Sequence, residues 1–205
     1  MNSRWFRSFI SASILLCICA AESRAQTIST AVGAGSQGSS GDGGPPTVAL
    51  LNRPSAVSSD NSGTLFIADT GNNRIRRINA VGDSIVTFAG TGSAGFSGDG
   101  ADAVRAALNA PTGVFVDSTG IVYIADTGNH RIRRIDGSGI ITTIAGKDTT
   151  AGLFIDDTLA TQATLSAPTA VFARGGFVYI ADTGNHRIRR IDSSGFITTI
   201  AGKDT

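Results

Sequence analysis

IADTGNHRIRRI, residues 124 to 135, stands again unchanged at 180–191 and, with Asn73 in place of a histidine, at 67–78. A phrase that returns every 56 or 57 residues marks an array of one supersecondary unit whose copies bury their apolar faces against one another. Upstream of Ile124 the unit reads Pro111-Thr112-Gly113, then Val114 to Val116, a turn Asp117-Ser118-Thr119-Gly120, then Ile121 to Ala125. Downstream, a turn from Asp126 to Asn129 leads to His130 through Ile135, and a turn from Asp136 to Gly139 leads to Ile140 through Ala145. These four short runs are rich in Val, Ile, Phe, Tyr and Thr, and Gly, Asp and Asn separate them. They read as four antiparallel strands.

The other copies change length only between the runs. Asp117-Ser118-Thr119-Gly120 shortens to Arg174-Gly175-Gly176, and the turn from Asn79 to Ser84 is longer than its counterpart. Register within a sheet resists insertion and a turn does not, so the strand assignment gains support. The first two strands are apolar on both faces, the third carries Arg131, Arg133 and Arg134, and the fourth alternates through Thr142 and Thr143. A sheet dry on both sides at one end and wetter at the other suits a blade wedged between neighbours, its first strand near an axis. That architecture is a β-propeller.

The unit resembles the NHL repeat, whose blades read Pro-x-Gly-Val, a strand ending Ile-Ala-Asp, then Asn-x-Arg-Ile-Arg, then a strand like Ile-Thr-Thr-Ile-Ala-Gly. The matching residues are Pro111 with Gly113-Val114, Ile124 to Asp126, Asn129 with Arg131 to Arg133, and Ile141 to Gly146. Blade one matches through Pro54, Ile67 to Asp69, Asn72, Arg74 to Arg76 and Ala89-Gly90, and blade three through Pro168, Ile180 to Asp182, Asn185, Arg187 to Arg189 and Ala201-Gly202. Ala56 and Ala170 depart from the pattern's glycine. The resemblance implies an all-β fold, an NHL-type β-propeller present in part, with three four-stranded antiparallel blades and an added N-terminal strand.

Residues 1–25 read as a secretory signal: Arg4 and Arg7, an apolar run from Phe9 to Ala21, and a Ser23-Arg24-Ala25 cleavage site. The expected organisation is therefore signal peptide 1–25, closing strand and loop 26–53, and repeats at 54–110, 111–167 and 168–205. The expected destination is secreted, or extracytoplasmic, with no membrane span once the signal is removed. Cys17 and Cys19 both lie in the signal, so thiol chemistry is not expected of the mature chain. Fourteen basic residues then face fifteen acids, all aspartate. A near-neutral chain lacks the basic field that nonspecific nucleic-acid binding needs, and no nucleic-acid partner is expected. The aspartate bias fits a turn-rich chain.

Propellers of this family close with about six blades, so three blades read as half a ring. Thr27 to Gly33 aligns with a fourth strand, the kind that closes a last blade. The sequence is expected to be truncated; two copies pairing through uncovered blade faces are the alternative.

In a four-stranded meander, the second-to-third turns and the connections between blades share one end. This places the Asp-Thr-Gly-Asn turns beside the long linkers 34–53, 91–110 and 147–167, where binding surfaces are commonly built. The candidates on that face are Phe96, Asp99, Asn129, His130, Asp156, Asp157, Asn185 and His186. Asp69, Asp126 and Asp182, each with an arginine five residues on (Arg74, Arg131 and Arg187), read as structural turns whose arginine pairs locally. A residue present in every blade most simply serves the blade. The loop aspartates at Gly41-Asp42-Gly43, Gly98-Asp99-Gly100 and Asp156-Asp157 offer oxygens of the kind calcium takes, but at one acid in most loops the expected cofactor set is empty. Among relatives in fold, amidating lyases use several axial histidines and gluconolactonases a channel glutamate. Here the histidines are His130 and His186, one site repeated, and the mature chain has no glutamate. The expected function is a non-catalytic scaffold that binds a protein, glycan or surface through its loops. The alternative is a lyase or hydrolase whose catalytic blades follow Thr205.

Overall fold

The computed structural model describes residues 28–148 and 155–202, so the signal segment and both cysteines lie outside the described residues. Blade one is β1 (Pro54–Ser59), β2 (Leu65–Asp69), β3 (Arg74–Ile78) and β4 (Ile85–Ala89). A short strand β5 (Ala101–Asp102) precedes blade two, which is β6 (Gly113–Val116), β7 (Val122–Asp126), β8 (Arg131–Ile135) and β9 (Ile140–Ala145). Another, β10 (Thr158–Leu159), precedes blade three: β11 (Ala170–Arg174), β12 (Phe177–Asp182), β13 (Arg187–Ile191) and β14 (Phe196–Ala201). Each blade is an antiparallel meander in sequence order.

The aspartates that fill the sequence close the hairpins. Asp117 Oδ1 accepts the N–H groups of Thr119 at 2.8 Å and Ile121 at 3.1 Å, and Asp136 Oδ1 does the same for Ser138 and Ile140. A carboxylate that satisfies backbone donors two and four residues on replaces hydrogen bonds that the turn cannot make for itself.

The linkers are longer than a turn because they cover edges. β5 pairs with β9, the outermost strand of blade two, and β10 pairs with β14 of blade three. At blade one the same place is taken by Gly43 and Gly44, which exchange backbone hydrogen bonds with Ile85. Each fourth strand thereby has the start of its edge paired, which shortens the free edge that would invite aggregation. The expectation of four-stranded blades is met with this fifth strand added to two of them. Between β5 and β6 the linker makes a single 3-10 turn, Ala103–Arg105.

Two apolar clusters fill the junctions between blades. One joins Phe66, Ala68 and Ile75 to Val114, Val116 and Ile124; the other joins Tyr123, Ala125 and Ile132 to Val171, Ile180 and Ile197. The outer faces are covered only in part within the described residues: on blade one Ile67, Ile78 and Ile85 are buried with Ala49, and Val32 and Leu51 pack against them. Ile75 and Ile132 are 0% exposed, whereas Ile188, at the same position in blade three, is 39% exposed. On the opposite side Val57 of blade one is 65% exposed, against 7% for Val114.

Residues 28–33 correct one expectation, since they lie in no strand. A fourth strand needs a third beside it, and none of the described strands stands beside this segment. It keeps only the loop half of its role: Gly33 and Ala34 donate to Pro46 O and Ala49 O, as Gly90 and Thr91 donate to Ala103 O and Ala106 O.

Candidate functional site

The repeated Asp-Thr-Gly-Asn turn is a joint, and each residue has a task. Asp126 Oδ1 accepts the N–H of Asn109 at 2.8 Å, fixing the end of the linker. Thr127 donates its hydroxyl at 2.7 Å to Pro168 O of the next blade, as Thr70 does to Pro111 O. Gly128 lies so close to Asn109 that a Cβ would stand 2.5 Å from its side chain. Asn129 is buried and donates to Gly95 O at 2.7 Å and to Asp126 Oδ2 at 2.8 Å. His130 follows in the left-handed conformation, φ 54°, and its Nδ1 accepts the N–H of Ala167 at 2.8 Å. In blade one, Asn73 Oδ1 accepts the N–H of Ala110 in the same way.

The arginine that meets the turn aspartate is seven residues on, not five. Asp126 faces Arg131 in strand register, yet its ion pair at 3.3 Å is with Arg133, and Asp182 pairs likewise with Arg189 and Asp69 with Arg76. A bulge just before Arg76, Arg133 and Arg189 turns each of these side chains inward, where all three are fully buried. Each also reaches a linker aspartate: Arg76 to Asp42 at 2.5 Å, Arg133 to Asp99 at 2.8 Å and Arg189 to Asp156 at 3.0 Å. Arg131 instead donates to Gly146 O and Lys147 O, and Arg74 to Thr91 O.

Burial pushes the Asp126 carboxyl above its ordinary value, against the Asn129 amide and Arg133. At Asp42 burial pushes the same way, but the Thr87 hydroxyl and Arg76 outweigh it and hold that carboxyl below the usual range.

These contacts relocate the binding-face candidates. Asp99, Asp156 and Asn129 hold the linkers to the blades, Asn185 donates to Asp182 Oδ2, and the Asp157 backbone N–H donates to Ile197 O. Phe96 lies under two guanidinium groups, Arg131 at 3.9 Å and Arg133 at 4.9 Å from its ring centre. His186 remains at the surface in a shallow cavity with Ile188 and Ala201, on the uncovered side of blade three. Among the described residues no group of three or more His, Cys, Asp or Glu is placed to share a metal ion.

The blades differ from one another at the opposite end, beside the first-to-second turns. There a cavity of about 470 Å³ opens between blades two and three, lined by Phe115, Asp117, Thr119, Tyr123, Phe172 and Arg174, with Phe177 at its rim. The ring centres of Phe115 and Phe172 are 4.8 Å apart, and those of Phe115 and Tyr123 6.4 Å apart. Burial and the Asp117 carboxylate raise the Tyr123 phenol above its ordinary value. Blade one has Ser58 where blades two and three have Phe115 and Phe172, and Ser58 spends its hydroxyl on the Val116 N–H. Sequence reasoning passed over this groove because Phe and Tyr in strand runs read first as core. The signal was Ser58, which breaks the repeat where the other two blades carry Phe115 and Phe172.

The NHL repeat model matches residues 51–78 and 167–191, and the teneurin NHL domain model matches 86–153. Teneurin-1 of Gallus gallus is 31% identical over 160 residues, 69% of this chain and 6% of that protein. NHL repeat-containing protein 2 of Gallus gallus is 40% identical over 104 residues, 50% of this chain and 14% of that protein. An auxiliary nutrient binding protein from Bacteroides ovatus superposes with a TM-score of 0.56 at 18% identity over 75% of this chain and 37% of its own, a likeness of fold alone. The three matching blades define a β-propeller protein. The chain belongs to the NHL-repeat family, and it spans a small part of the relatives it matches.

Proposed function

We propose that this chain is an exported, non-catalytic binding scaffold whose ligand contacts the aromatic groove between blades two and three. One observation carries the reading: the conspicuous charged residues recur in every blade and are bonded to linker or turn, while the groove departs from the repeat and leaves aromatic rings half-open. Groups in every blade that bond to linkers serve the scaffold; rings that break the pattern and line a cavity are suited to recognition. Export is supported by the basic, apolar and small-residue succession of the first 25 residues. The exposed outer faces of blades one and three add a second contact surface, suited to another blade of the same repeat.

The test is a binding screen of the mature chain against glycan and peptide arrays, run beside Phe172→Leu. Specific signals that the substitution abolishes support the reading. An array-wide blank, or signals indifferent to Phe172, refutes it.

A further inference from the structure

We infer that the groove between blades two and three is a site for a neutral saccharide, a pyranose ring lying on the aromatic wall with its hydroxyls on Asp117 and Arg174; this rests on the binding-scaffold reading above. The wall is built from both blades. Phe115 and Phe172 meet with planes tilted by 58°, Phe115 and Tyr123 by 38°, so the rings form a shallow bed and not a closed stack. Phe172 is 45% exposed, a large apolar face open to a ligand. The electron-rich face of an aromatic ring attracts the weakly positive C–H groups that line one side of a pyranose.

An apolar side chain would be content with that bed; the polar rim favours a polyol. Asp117 Oδ1 is occupied by the Thr119 N–H, the Thr119 hydroxyl at 2.6 Å and the Ile121 N–H. Its Oδ2 meets only the Tyr123 phenol, at 3.5 Å, a distance that leaves most of its accepting capacity for hydroxyl donors. Arg174 lines the same cavity and carries donors for ring and hydroxyl oxygens. One carboxylate and one guanidinium cancel, which suits an uncharged ligand better than an acidic one. The groove is no by-product of the repeat, because at the junction between blades one and two Ser58 stands in place of a ring and its hydroxyl oxygen accepts the Val116 N–H.

The chain's own fluorescence reads the site. Its tyrosines are Tyr123 and Tyr179, the first in the groove and the second beside Phe172, while Trp5 lies in the leader. Residues 26–205 would be titrated with linear neutral oligosaccharides of glucose, N-acetylglucosamine, galactose, mannose and xylose. The same titrations would be run on Phe172→Leu, which keeps apolar volume but removes the ring, and on Asp117→Asn, which keeps the turn's acceptor. The expected result is a saturable change in tyrosine emission with at least one sugar, weakened about tenfold or more in both variants at unchanged circular dichroism. If no sugar saturates while array peptides still bind through Phe172, the saccharide assignment falls and the scaffold reading stands. If neither binds, both fall. Sugar binding that both variants preserve would place the site elsewhere and overturn the inference.

Discussion

At the scale of single residues, each blade spends one buried guanidinium on two carboxylates, one fully buried and one in a linker. Removing Arg133 leaves Asp126 without its cation in a dry site, so Arg133→Met is expected to cost about 3–5 kcal/mol in urea unfolding. A loss below about 1 kcal/mol would mean that the pair contributes little. His130 offers a gentler check. Asn73 already performs its task in blade one, so His130→Asn should hold stability within about 0.5 kcal/mol, and His130→Leu, leaving the Ala167 N–H without an acceptor, should lose about 1–3 kcal/mol by the same measurement. Asp42 sets an acid limit. Its folded carboxyl titrates below the ordinary value, so its stabilisation is present above about pH 4 and is lost as pH falls through the lower folded value. Wild type should therefore melt higher than Asp42→Asn at pH 6, and the gap should narrow towards pH 3; a gap constant with pH would show that this carboxyl does not titrate as described.

At the scale of elements, the strands were largely readable and the covers were not. Ile140 to Ala145 is bounded by turn residues and β-branched up to its closing alanine, and it forms a strand with those limits. Ala101–Asp102 has no pattern to read, because a two-residue edge strand is specified by the partner it covers. The inward arginine was hidden for a related reason. Arg131, Arg133 and Arg134 crowd one strand, and only the bulge after Ile132 decides which one enters the core. The junction of fourth strand and linker is equally exacting. Gly146 has φ 94°, and a Cβ there would stand far inside contact distance of the His130 carbonyl, so Gly146→Ala is expected to cost about 2–3 kcal/mol. Gly137, with open space around it, should accept alanine with little change in the same unfolding experiment.

At the scale of the whole molecule, the exposed flanks of blades one and three predict association. Ile188 and Ile200 on one side and Val57 on the other should make the apparent mass rise with concentration in light scattering, and Ile188→Lys with Ile200→Lys should suppress that rise. A mass that stays constant up to high concentration would count against it. In both internal junctions the preceding blade's exit holds two linker carbonyls, whereas at blade one Gly33 and Ala34 hold Pro46 O and Ala49 O. A second copy seated before blade one must take these two carbonyls from residues 28–34, so a chain beginning at Gly35 should associate more tightly than the mature one. The groove was the least readable part of the molecule, since it depends on which rings from two separate units come to share a junction. The forward reach of the linkers bears on how such a chain grows. Each repeat is preceded by the segment that seals its own rim, so copying one repeat together with that segment inserts a unit already sealed, and the gene can lengthen by tandem duplication without exposing a raw border.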